Sequence, residues 1–414
     1  MSSTVAGSLR ERLTSLGGGA PLPAPRLKPA LEPPRGFEPV DTPHGLAFVR
    51  QDVIPLEPLD PDPGSVAYID TETTGLSGGS GTLVFVAAVA RPIDCGLRLA
   101  QVFLPQPGLE AAFLYALNEE LRTAAGIASF NGASFDLPIL RTRWVMARMG
   151  GELTHPRHVD LLTLVRALYR HRMESCTLRT VEERLLGYER EDPIAGALAP
   201  DAYFLYMRAG ASPLLELVLE HNRLDVISLV YLHSLLLKRL QGGDADMDAA
   251  DWLALGRHRF RRGARADGWR ALRNAAGFYE GDAAATAGLW ISRRLVRRRS
   301  IDAADRLLAR LENAFAGDVR VALARARLLE WRRRDPARAL SVVEAVQRRV
   351  PESAAELEPR RERLRRKVLR GSRNLGGGDD GRKRKRREGW LQASLSYGAG
   401  KGVDDPGVEL GSGA

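Results

Sequence analysis

Acidic side chains follow a buried strand pattern in the first part of the chain. Asp70 and Glu72 come directly after Val66-Ala67-Tyr68-Ile69. Because residues i and i+2 of an extended chain point the same way, both carboxylates can face one pair of metal ions. Thr74 and Gly75 follow them and can offer hydroxyl and backbone N–H groups to a phosphate or a terminal hydroxyl. A solvated strand end is the alternative, since an isolated Asp-x-Glu is common there.

Two further acids occur later in settings that favour the same chemistry. Asp136 ends Ser129-Phe130-Asn131-Gly132-Ala133-Ser134-Phe135-Asp136, where a strand pattern passes through an Asn-Gly turn into a helix. It is either a functional acid or only a favourable charge at a helix N-terminus, and its own setting leaves both open. Asp225 lies in a strongly apolar helix pattern, four residues after His221. A buried carboxylate is costly unless a cation compensates it, so we favour a metal or catalytic role over a surface His–Asp pair.

Together these acids predict hydrolysis of phosphodiester bonds by two metal ions. That reaction needs carboxylates that converge on two cations roughly 4 Å apart. Magnesium prefers oxygen ligands, so carboxylates are expected rather than clusters of histidine and cysteine. The two cysteines, Cys95 and Cys176, lie far apart and outside any CxxC spacing. A disulfide framework or structural zinc site is therefore not expected, and a reducing cytoplasm fits the chain.

The elements that must position these residues follow an α/β order. Three consecutive strand patterns precede a helix, another strand and then mostly helices. In chain order the strands and helices are expected at 66–69, 83–90, 97–104, 110–122, 126–130, 135–149, 161–169 and 178–186. A long helix follows, with Ser212 as its N-cap and Pro213 at its first position. This order predicts an α/β fold, and one short hairpin is expected between residues 36 and 64.

The remaining segments differ in composition from this part. Residues 1–36 read as a flexible Pro/Gly-rich arm, and the sheet domain is expected at 37–242. Residues 249–350 read as helix only, with Trp269, Ala304 and Ala339 at a spacing of 35 residues. Tetratricopeptide repeats have a period of about 34 residues, whereas an unrelated helical bundle would have this spacing by coincidence. After Pro351 a basic helix is expected to lead into a Gly-rich segment, so residues 351–414 read as a basic, largely disordered tail.

The charge balance indicates a polyanion as partner. The chain has 61 Lys and Arg against 51 Asp and Glu, a net charge of +10, and a sequence pI of about 9.9. Six consecutive basic residues, 382–387, add a cationic segment, which is either a phosphate contact or a solvated tail. The longest apolar run, 83–90, is too short to span a membrane. The charge balance alone does not choose between DNA, RNA and an acidic membrane surface. With the chemistry that the acids predict, we expect a cytoplasmic protein that binds nucleic acid and no membrane.

Three motifs give a specific resemblance. Asp-Thr-Glu-Thr-Thr-Gly-Leu at 70–76, Asn-Gly-x-Ser-Phe-Asp at 131–136 and His-Asn-x-x-Asp at 221–225 resemble, in this order, the exonuclease motifs of the DEDD superfamily. More closely, residues 66–240 resemble the bacterial YprB-type family, whose members carry a ribonuclease H-like exonuclease domain. Several members continue into tetratricopeptide-like repeats. The resemblance implies a ribonuclease H-like mixed sheet followed by an all-α repeat region.

The resemblance also implies a role for each matching residue. The four acids become ligands of two Mg²⁺ or Mn²⁺ ions, and His221 becomes the base that activates the attacking water. Contacts to substrate are implied for Thr74, Gly75, Leu76 and Asn131. One departure concerns the base, which in the superfamily is commonly a tyrosine four residues before the last aspartate or a histidine five before it. This chain has a histidine at the tyrosine spacing.

Three functions are consistent with the sequence. The first is a metal-dependent nuclease, a 3′–5′ exonuclease acting on DNA or RNA. The second is a nucleic-acid-binding protein that has weak or no turnover, which the unusual histidine spacing leaves open. The third is an adaptor that binds a protein partner through the repeats at 249–350. The complete set of acids favours the first.

Overall fold

The structure, a computed structural model, describes most of the chain between residues 32 and 375. The described ranges are 32–56, 59–75, 81–94, 96–149, 157–190, 198–210, 213–242 and 246–375. Leu76, the cap residue Ser212 and the basic run 382–387 lie outside the described residues, as do 1–31 of the predicted arm. The chain divides into two compact units between Ala271 and Leu272.

The first unit is built on a mixed sheet of seven strands. They are β1 (Glu38–Thr42), β2 (Gly45–Ile54), β3 (Val66–Thr73), β4 (Val84–Ile93), β5 (Gly96–Phe103), β6 (Gly126–Ser129) and β7 (His158–Asp160). The strand order is β1-β2-β5-β4-β3-β6-β7. Neighbours from β1 to β3 are antiparallel, whereas β6 pairs in parallel with both β3 and β7. The predicted mixed α/β sheet is confirmed, and β1 and β2 form the expected hairpin.

Helices of the first unit lie on both sides of this sheet. They are α1 (Glu110–Leu121), α2 (Asp136–Met146), α3 (Leu161–Tyr169), α4 (Leu178–Val181), α5 (Ala199–Ala209), α6 (Pro213–Gln241), α7 (Ala249–Arg261) and the first part of α8 (Arg265–Gly277). The rest of α8, from Leu272 onward, belongs to the second unit. The helix expected at 178–186 is α4 followed by a π-helical turn, Glu182–Leu186. Strand β7 and helix α5 were not expected from the sequence.

Two hydrophobic cores cover the two faces of the sheet. Alternation along β3 directs Ala67 and Ile69 into one core and Tyr68 into the other. The long helix α6 contributes to both, with Leu219 in the first core and Val226 in the second. The segment of α6 between these two residues therefore passes from one core to the other. It packs against β3 and β4 and carries His221 and Asp225.

The second unit contains only helices in its described part. Besides the end of α8, these are α9 (Gly281–Arg297), α10 (Ile301–Ala314), α11 (Val319–Leu328), α12 (Pro336–Arg349) and α13 (Ala354–Leu375). Each helix packs against the next, and Ala304 and Ala339, which share the 35-residue spacing, are fully buried. The predicted all-α region is confirmed, while its assignment to the tetratricopeptide type stays a prediction. None of the described helices is both long enough and apolar enough to cross a membrane.

Candidate active site

The strand β3 places Asp70 and Glu72 beyond the end of its parallel neighbour. The pairing of β3 with β6 ends where Tyr68 lies opposite Ala128, so both acids follow the last paired residue. On the other side β3 stays paired with β4, with an irregular register between Glu72 and Thr73. Asp70 and Glu72 point to the same side as Tyr68, as expected for alternating residues of a strand.

The turn after β6 brings Asp136 to the same place. Asn131 adopts a left-handed backbone conformation with φ of 66°, which asparagine tolerates better than most residues. A Cβ on Gly132 would lie 2.2 Å from Ser129 Oγ and 3.0 Å from Asp136 Oδ2, so only glycine fits. Asp136 is then the first residue of α2 and is almost fully buried.

Asp160 supports this turn, and beside the larger effect of burial its charge raises the pKa of Asp136. The Asp160 carboxylate caps α3 by accepting from the Leu162 N–H at 3.0 Å. It also accepts from the backbone N–H groups of Asn131 at 3.0 Å and Ala133 at 3.3 Å. Asp160 is therefore the N-cap of α3 and also holds the turn after β6.

Asn222 holds Asp70 through a buried polar relay. Its Nδ2 donates to Asp70 Oδ2 at 2.8 Å and to the Asp70 carbonyl at 3.1 Å. Its Oδ1 accepts from Gln101 Nε2 at 3.0 Å, and Gln101 Oε1 accepts from Arg50 Nε at 3.2 Å. Asn222 and Gln101 are 0% exposed. Since buried polar groups are costly without partners, the relay fixes the orientation of the Asp70 carboxylate.

The four predicted acids lie close enough to disturb one another. Burial raises the pKa of the Asp70 carboxyl well above its usual range, and the charges of Asp225, Asp136 and Glu72 raise it further, against the Asn222 hydrogen bond. Burial also raises the pKa of Asp136, while a 2.5 Å hydrogen bond from Thr71 Oγ1 to Asp136 Oδ1 opposes this. The structure therefore brings together all four acids that the sequence singles out.

A buried arginine, Arg190, compensates part of this charge. Its Nη1 donates to Asp225 Oδ1 at 2.5 Å, and its Nη2 forms an ion pair with Glu182. Arg190 and Glu182 are both almost fully buried. The pKa of Glu182 is raised by burial, which Ser228 and Arg190 oppose with hydrogen bonds. Arg190 thus links the π-helical turn to the carboxylate of Asp225.

His221 has a charged neighbour at each ring nitrogen. Its Nδ1 accepts from Arg190 Nη1 at 3.4 Å, and its Nε2 lies 3.6 Å from Asp225 Oδ2. With Nδ1 as acceptor, a neutral ring carries its proton on Nε2, directed toward Asp225. In this arrangement the ring has to turn or exchange its proton before it can accept one from water.

The loop after β3 fixes the predicted substrate contact Thr74. Its Oγ1 accepts from the Leu83 N–H and its own N–H donates to the Leu83 carbonyl, both at 2.9 Å. The hydroxyl proton of Thr74 is left to donate to another group. Gly75 follows directly, and its carbonyl accepts from Thr73 Oγ1 at 2.9 Å.

The residues present fit divalent cations. Three buried or half-buried carboxylates raise the pKa of the fourth, so the site concentrates negative charge that a cation would neutralise. All four donors are carboxylate oxygens, which suits Mg²⁺ or Mn²⁺. Within the described residues, no three of these acids have ligand oxygens that all lie within 4.8 Å of one another. The acids are therefore spread more widely than a compact cage for one ion.

One such compact group exists elsewhere, at His171, Asp248 and Asp251. The Asp251 carboxylate accepts from His171 Nε2 at 2.8 Å and from Arg172 Nε at 2.9 Å, and it pairs with Arg239 Nη2 at 2.7 Å. It also closes the capping box of α7 with Asp248. A metal ion would have to displace two guanidinium groups, so Asp251 joins helices and is not a promising metal ligand.

Sequence reasoning missed the side chains that hold the acids in place. Asn222 stands inside the His-Asn-x-x-Asp motif, and its position in an apolar helix was a usable signal. Arg190 and Glu182 lie in a charged stretch with no periodic pattern. Their pairing depends on a π-helical turn, which the sequence does not indicate.

Comparison with known proteins agrees with this geometry. Residues 67–237 match the family model described as RNase_H superfamily, so this part of the chain is a ribonuclease H-like domain. More particularly, this part is similar to the YprB type, since the chain is 37% identical over 174 residues to the uncharacterized protein YprB of Bacillus subtilis (strain 168). The match covers 42% of this chain and 42% of that relative, so the chain matches less than half of the relative's length.

Among solved structures, the family B DNA polymerase from the archaeon Pyrobaculum calidifontis has a distant similarity to this chain. The alignment is 15% identical and covers 60% of this chain and 34% of the polymerase, with a TM-score of 0.33. A score at this level supports no inference about fold or function.

Proposed function

We propose that this protein is a metal-dependent 3′–5′ exonuclease that hydrolyses phosphodiester bonds of DNA or RNA. The observation that carries the proposal is the convergence of Asp70, Glu72, Asp136 and Asp225 from three separate elements of a ribonuclease H-like domain. Two Mg²⁺ or Mn²⁺ ions held by these acids would supply an activated water and stabilise charge on the scissile phosphate and departing oxygen.

The chain's own residues would keep this site ordered for the reaction. Asn222 orients Asp70, and Thr71 orients Asp136 through hydrogen bonds. Thr74, Gly75 and Asn131 stand beside the acids on the β3 and β6 loops, where they would bind the 3′ end of the substrate. Leu76, the remaining proposed contact, lies outside the described residues.

We propose His221 as the group that accepts a proton from the attacking water. The 3.6 Å separation from Asp225 supports a position within reach of the reaction. The donation from Arg190 to Nδ1 means that the ring would have to turn or exchange its proton first. If it does neither, His221 is a positioning residue for Asp225.

The same contact favours a second candidate function. Arg190 already compensates Asp225 as an internal cation, and a permanent pairing would lower the affinity of the site for metal. The protein would then bind nucleic acid with weak or no turnover. The two candidates make different predictions for metal dependence.

The deciding experiment uses the purified full chain and end-labelled single- and double-stranded DNA and RNA. We expect nucleotides to be released from the 3′ end with Mg²⁺ or Mn²⁺ and not with EDTA. A 3′-terminal phosphorothioate should slow the release, and circular single strands should resist it. Asp70→Asn and Asp225→Asn should each abolish the reaction, since each removes a charged oxygen ligand.

The matched control is Asp201→Asn, which removes an equal charge from an exposed position on α5. It should retain full activity. Metal-dependent release that persists in both site variants would refute the proposed ligands. Tight binding with no release under any metal would favour the second candidate.

The setting and partners of the protein are also proposals. We propose that it acts in the cytoplasm, which its low cysteine content supports. A protein partner on the helical unit remains the third candidate, and a pull-down that needs residues 249–350 but not Asp70 would support it.

A further inference from the structure

The two units carry net charges of opposite sign. Residues 1–271 contain 29 Lys and Arg against 32 Asp and Glu, a net charge of −3. Residues 272–414 contain 32 Lys and Arg against 19 Asp and Glu, a net charge of +13. The candidate active site lies in the negative unit, so long-range attraction of a polyanion falls to the helical unit.

Many carboxylates of the helical unit are already engaged by cations. Glu330 is buried and pairs with Arg360, Arg363 and Lys367. Other pairs join Arg320 to Asp282 and Asp318, Arg333 to Asp302 and Asp305, and Arg365 to Glu344. These ion pairs connect helices and leave a surplus of arginines on the surface.

One group of these arginines lies at the end of α9. Five of the seven residues from 293 to 299 are arginine. Within the described part of the chain, no carboxylate lies at salt-bridge distance from the exposed residues Arg293, Arg297, Arg298 and Arg299. The pKa of Arg294 is lowered by burial and then by the charges of Arg298 and Arg273. Guanidinium groups from α8 and α9 therefore lie close together.

A structural explanation accounts for only part of this group. Positive charge is favourable at a helix C-terminus, by roughly 0.3–1 kcal/mol, and one or two arginines would provide it. Further like charges repel one another and lower the stability of the helix end. A bound polyanion would turn this repulsion into attraction.

We propose that this arginine patch binds the phosphate backbone of nucleic acid at a place separate from the candidate active site. The patch consists of Arg273, Arg293, Arg294, Arg297, Arg298 and Arg299. The choice of nucleic acid rests on the proposed function, because an arginine cluster alone also suits other polyanions. Planar guanidinium groups bind phosphate oxygens in pairs, and such contacts hold a strand without reading its sequence.

The test measures binding of the full chain to short fluorescent single-stranded DNA and RNA in EDTA, where metal-dependent cleavage cannot occur. The patch variant is Arg273→Gln/Arg294→Gln/Arg298→Gln. The matched control, Arg332→Gln/Arg348→Gln/Arg349→Gln, removes the same charge from exposed arginines elsewhere in the helical unit. A third variant, Arg273→Lys/Arg294→Lys/Arg298→Lys, keeps the charge at the three positions.

We expect the patch variant to bind roughly tenfold more weakly at low salt. The slope of log K against log salt should become shallower by about 2, because three phosphate contacts each contribute about 0.7 on a single strand. The lysine variant should keep the wild-type slope, and the control variant should change it much less.

Equal slopes for the patch and control variants would overturn the proposal, because net charge alone would then explain binding. The same titration is repeated with vesicles that contain phosphatidylserine and, separately, with poly-glutamate. Patch-dependent binding to either that exceeds binding to nucleic acid would assign the patch to a membrane or an acidic protein. A chain that binds strands through the patch but never cleaves them with Mg²⁺ would refute only the nuclease proposal.

Discussion

The ribonuclease H-like unit and the helical unit both gather charges of one sign, but in opposite settings. In the first, Asp70 and its neighbouring acids meet where two cores and a strand end converge, largely out of water. In the second, the arginines of the patch stand on a helix end, mostly exposed. Enclosure makes the acids suited to small cations, whereas exposure makes the arginines suited to an extended polyanion.

The two groups should also differ in whether their function depends on exact position or on charge. The acids are fixed by hydrogen bonds to Asn222 and Thr71, so their function should be sensitive to displacements below 1 Å. The arginine side chains have no such fixed partners in the described residues, apart from Arg294. Their contribution should depend on number and charge. The four predictions below test this difference, from the largest expected effect to the smallest.

Removing Arg190 should cause the largest loss of stability. Arg190→Gln leaves the buried carboxylate of Glu182 and the Asp225 carboxylate without their cation. Loss of one partner from a buried ion pair typically costs about 3–5 kcal/mol. We expect the free energy of unfolding, measured with urea in the presence of EDTA, to fall by this amount. Hydrogen exchange of the α6 amides monitors the unfolding of this unit separately from that of the helical unit.

The control for this change is Arg190→Lys. Lysine keeps the charge but lacks the planar fork that reaches two carboxylates. The free energy of unfolding of this variant should therefore lie between those of the wild type and Arg190→Gln. If Arg190→Gln leaves α6 as stable as in the wild type, the arginine does not hold the acids in the way described.

The pH dependence of stability should differ between the units because of His233. Burial lowers the pKa of this histidine from 6.5 to about 4, and its Nδ1 is hydrogen-bonded to the Tyr68 hydroxyl at 2.9 Å. The unfolded chain therefore binds a proton more readily than the folded chain between these pH values. Stability is fully present above pH 6.5 and falls as the pH drops toward 4, by up to roughly 3 kcal/mol.

His233→Gln should make the free energy of unfolding depend less on pH between 4 and 6.5. Urea unfolding measures this free energy, and hydrogen exchange of amides in the second core monitors the first unit. His44→Gln, at an exposed position, serves as the control. An unchanged profile for His233→Gln would contradict the assignment.

A single methyl group should separate the geometric site from the charged patch. Gly132→Ala places a Cβ 2.2 Å from Ser129 Oγ and 3.0 Å from Asp136 Oδ2. The turn must shift and carry Asp136 with it, so hydrolysis should fall by roughly 10- to 100-fold. Initial rates with saturating Mg²⁺ would measure this effect.

The steric control lies in the other unit. Gly288→Ala is crowded too, since its Cβ would lie 2.7 Å from Leu311 Cδ1. It should lower stability but leave the rate per folded molecule and the salt slope of binding unchanged. Equal losses of rate in both variants would mean that stability, and not the position of Asp136, limits the reaction.

The smallest effect is expected for one arginine of the patch. Arg298→Gln relieves repulsion with Arg294, and it removes one favourable charge from the end of α9. The two effects nearly cancel, so the free energy of unfolding should change by no more than about 0.5 kcal/mol. A loss above this value in urea unfolding would indicate a structural role for Arg298.

Local patterns explain why much of this molecule was predictable. The strands and helices that carry Asp70, Asp136 and Asp225 were expected from periodicity, and each acid stands next to a recognisable apolar or turn signal. The hairpin was also expected. These features depend on neighbouring residues, which a sequence displays directly.

The missing parts depend on contacts between distant positions. Gln101 and Asn222 are 121 residues apart, and Arg190 meets Asp225 over 35 residues. Helix α5 was missed because its buried side, including Tyr203 and Tyr206, is broken by the exposed Phe204 and Leu205. Only the folded chain shows which of these polar and aromatic residues have partners.

The relay from Arg50 to Asp70 has a practical consequence for truncating the protein. Arg50 lies in β2, outside the range 67–237 that matches the superfamily. A fragment cut to that range would leave the side-chain oxygen of Gln101 without the guanidinium of Arg50. It would also expose the edge of β5, which β2 covers. Bare strand edges promote aggregation. An excised domain intended for assays or crystals should therefore begin at or before Glu32, so that the hairpin is kept as a cover.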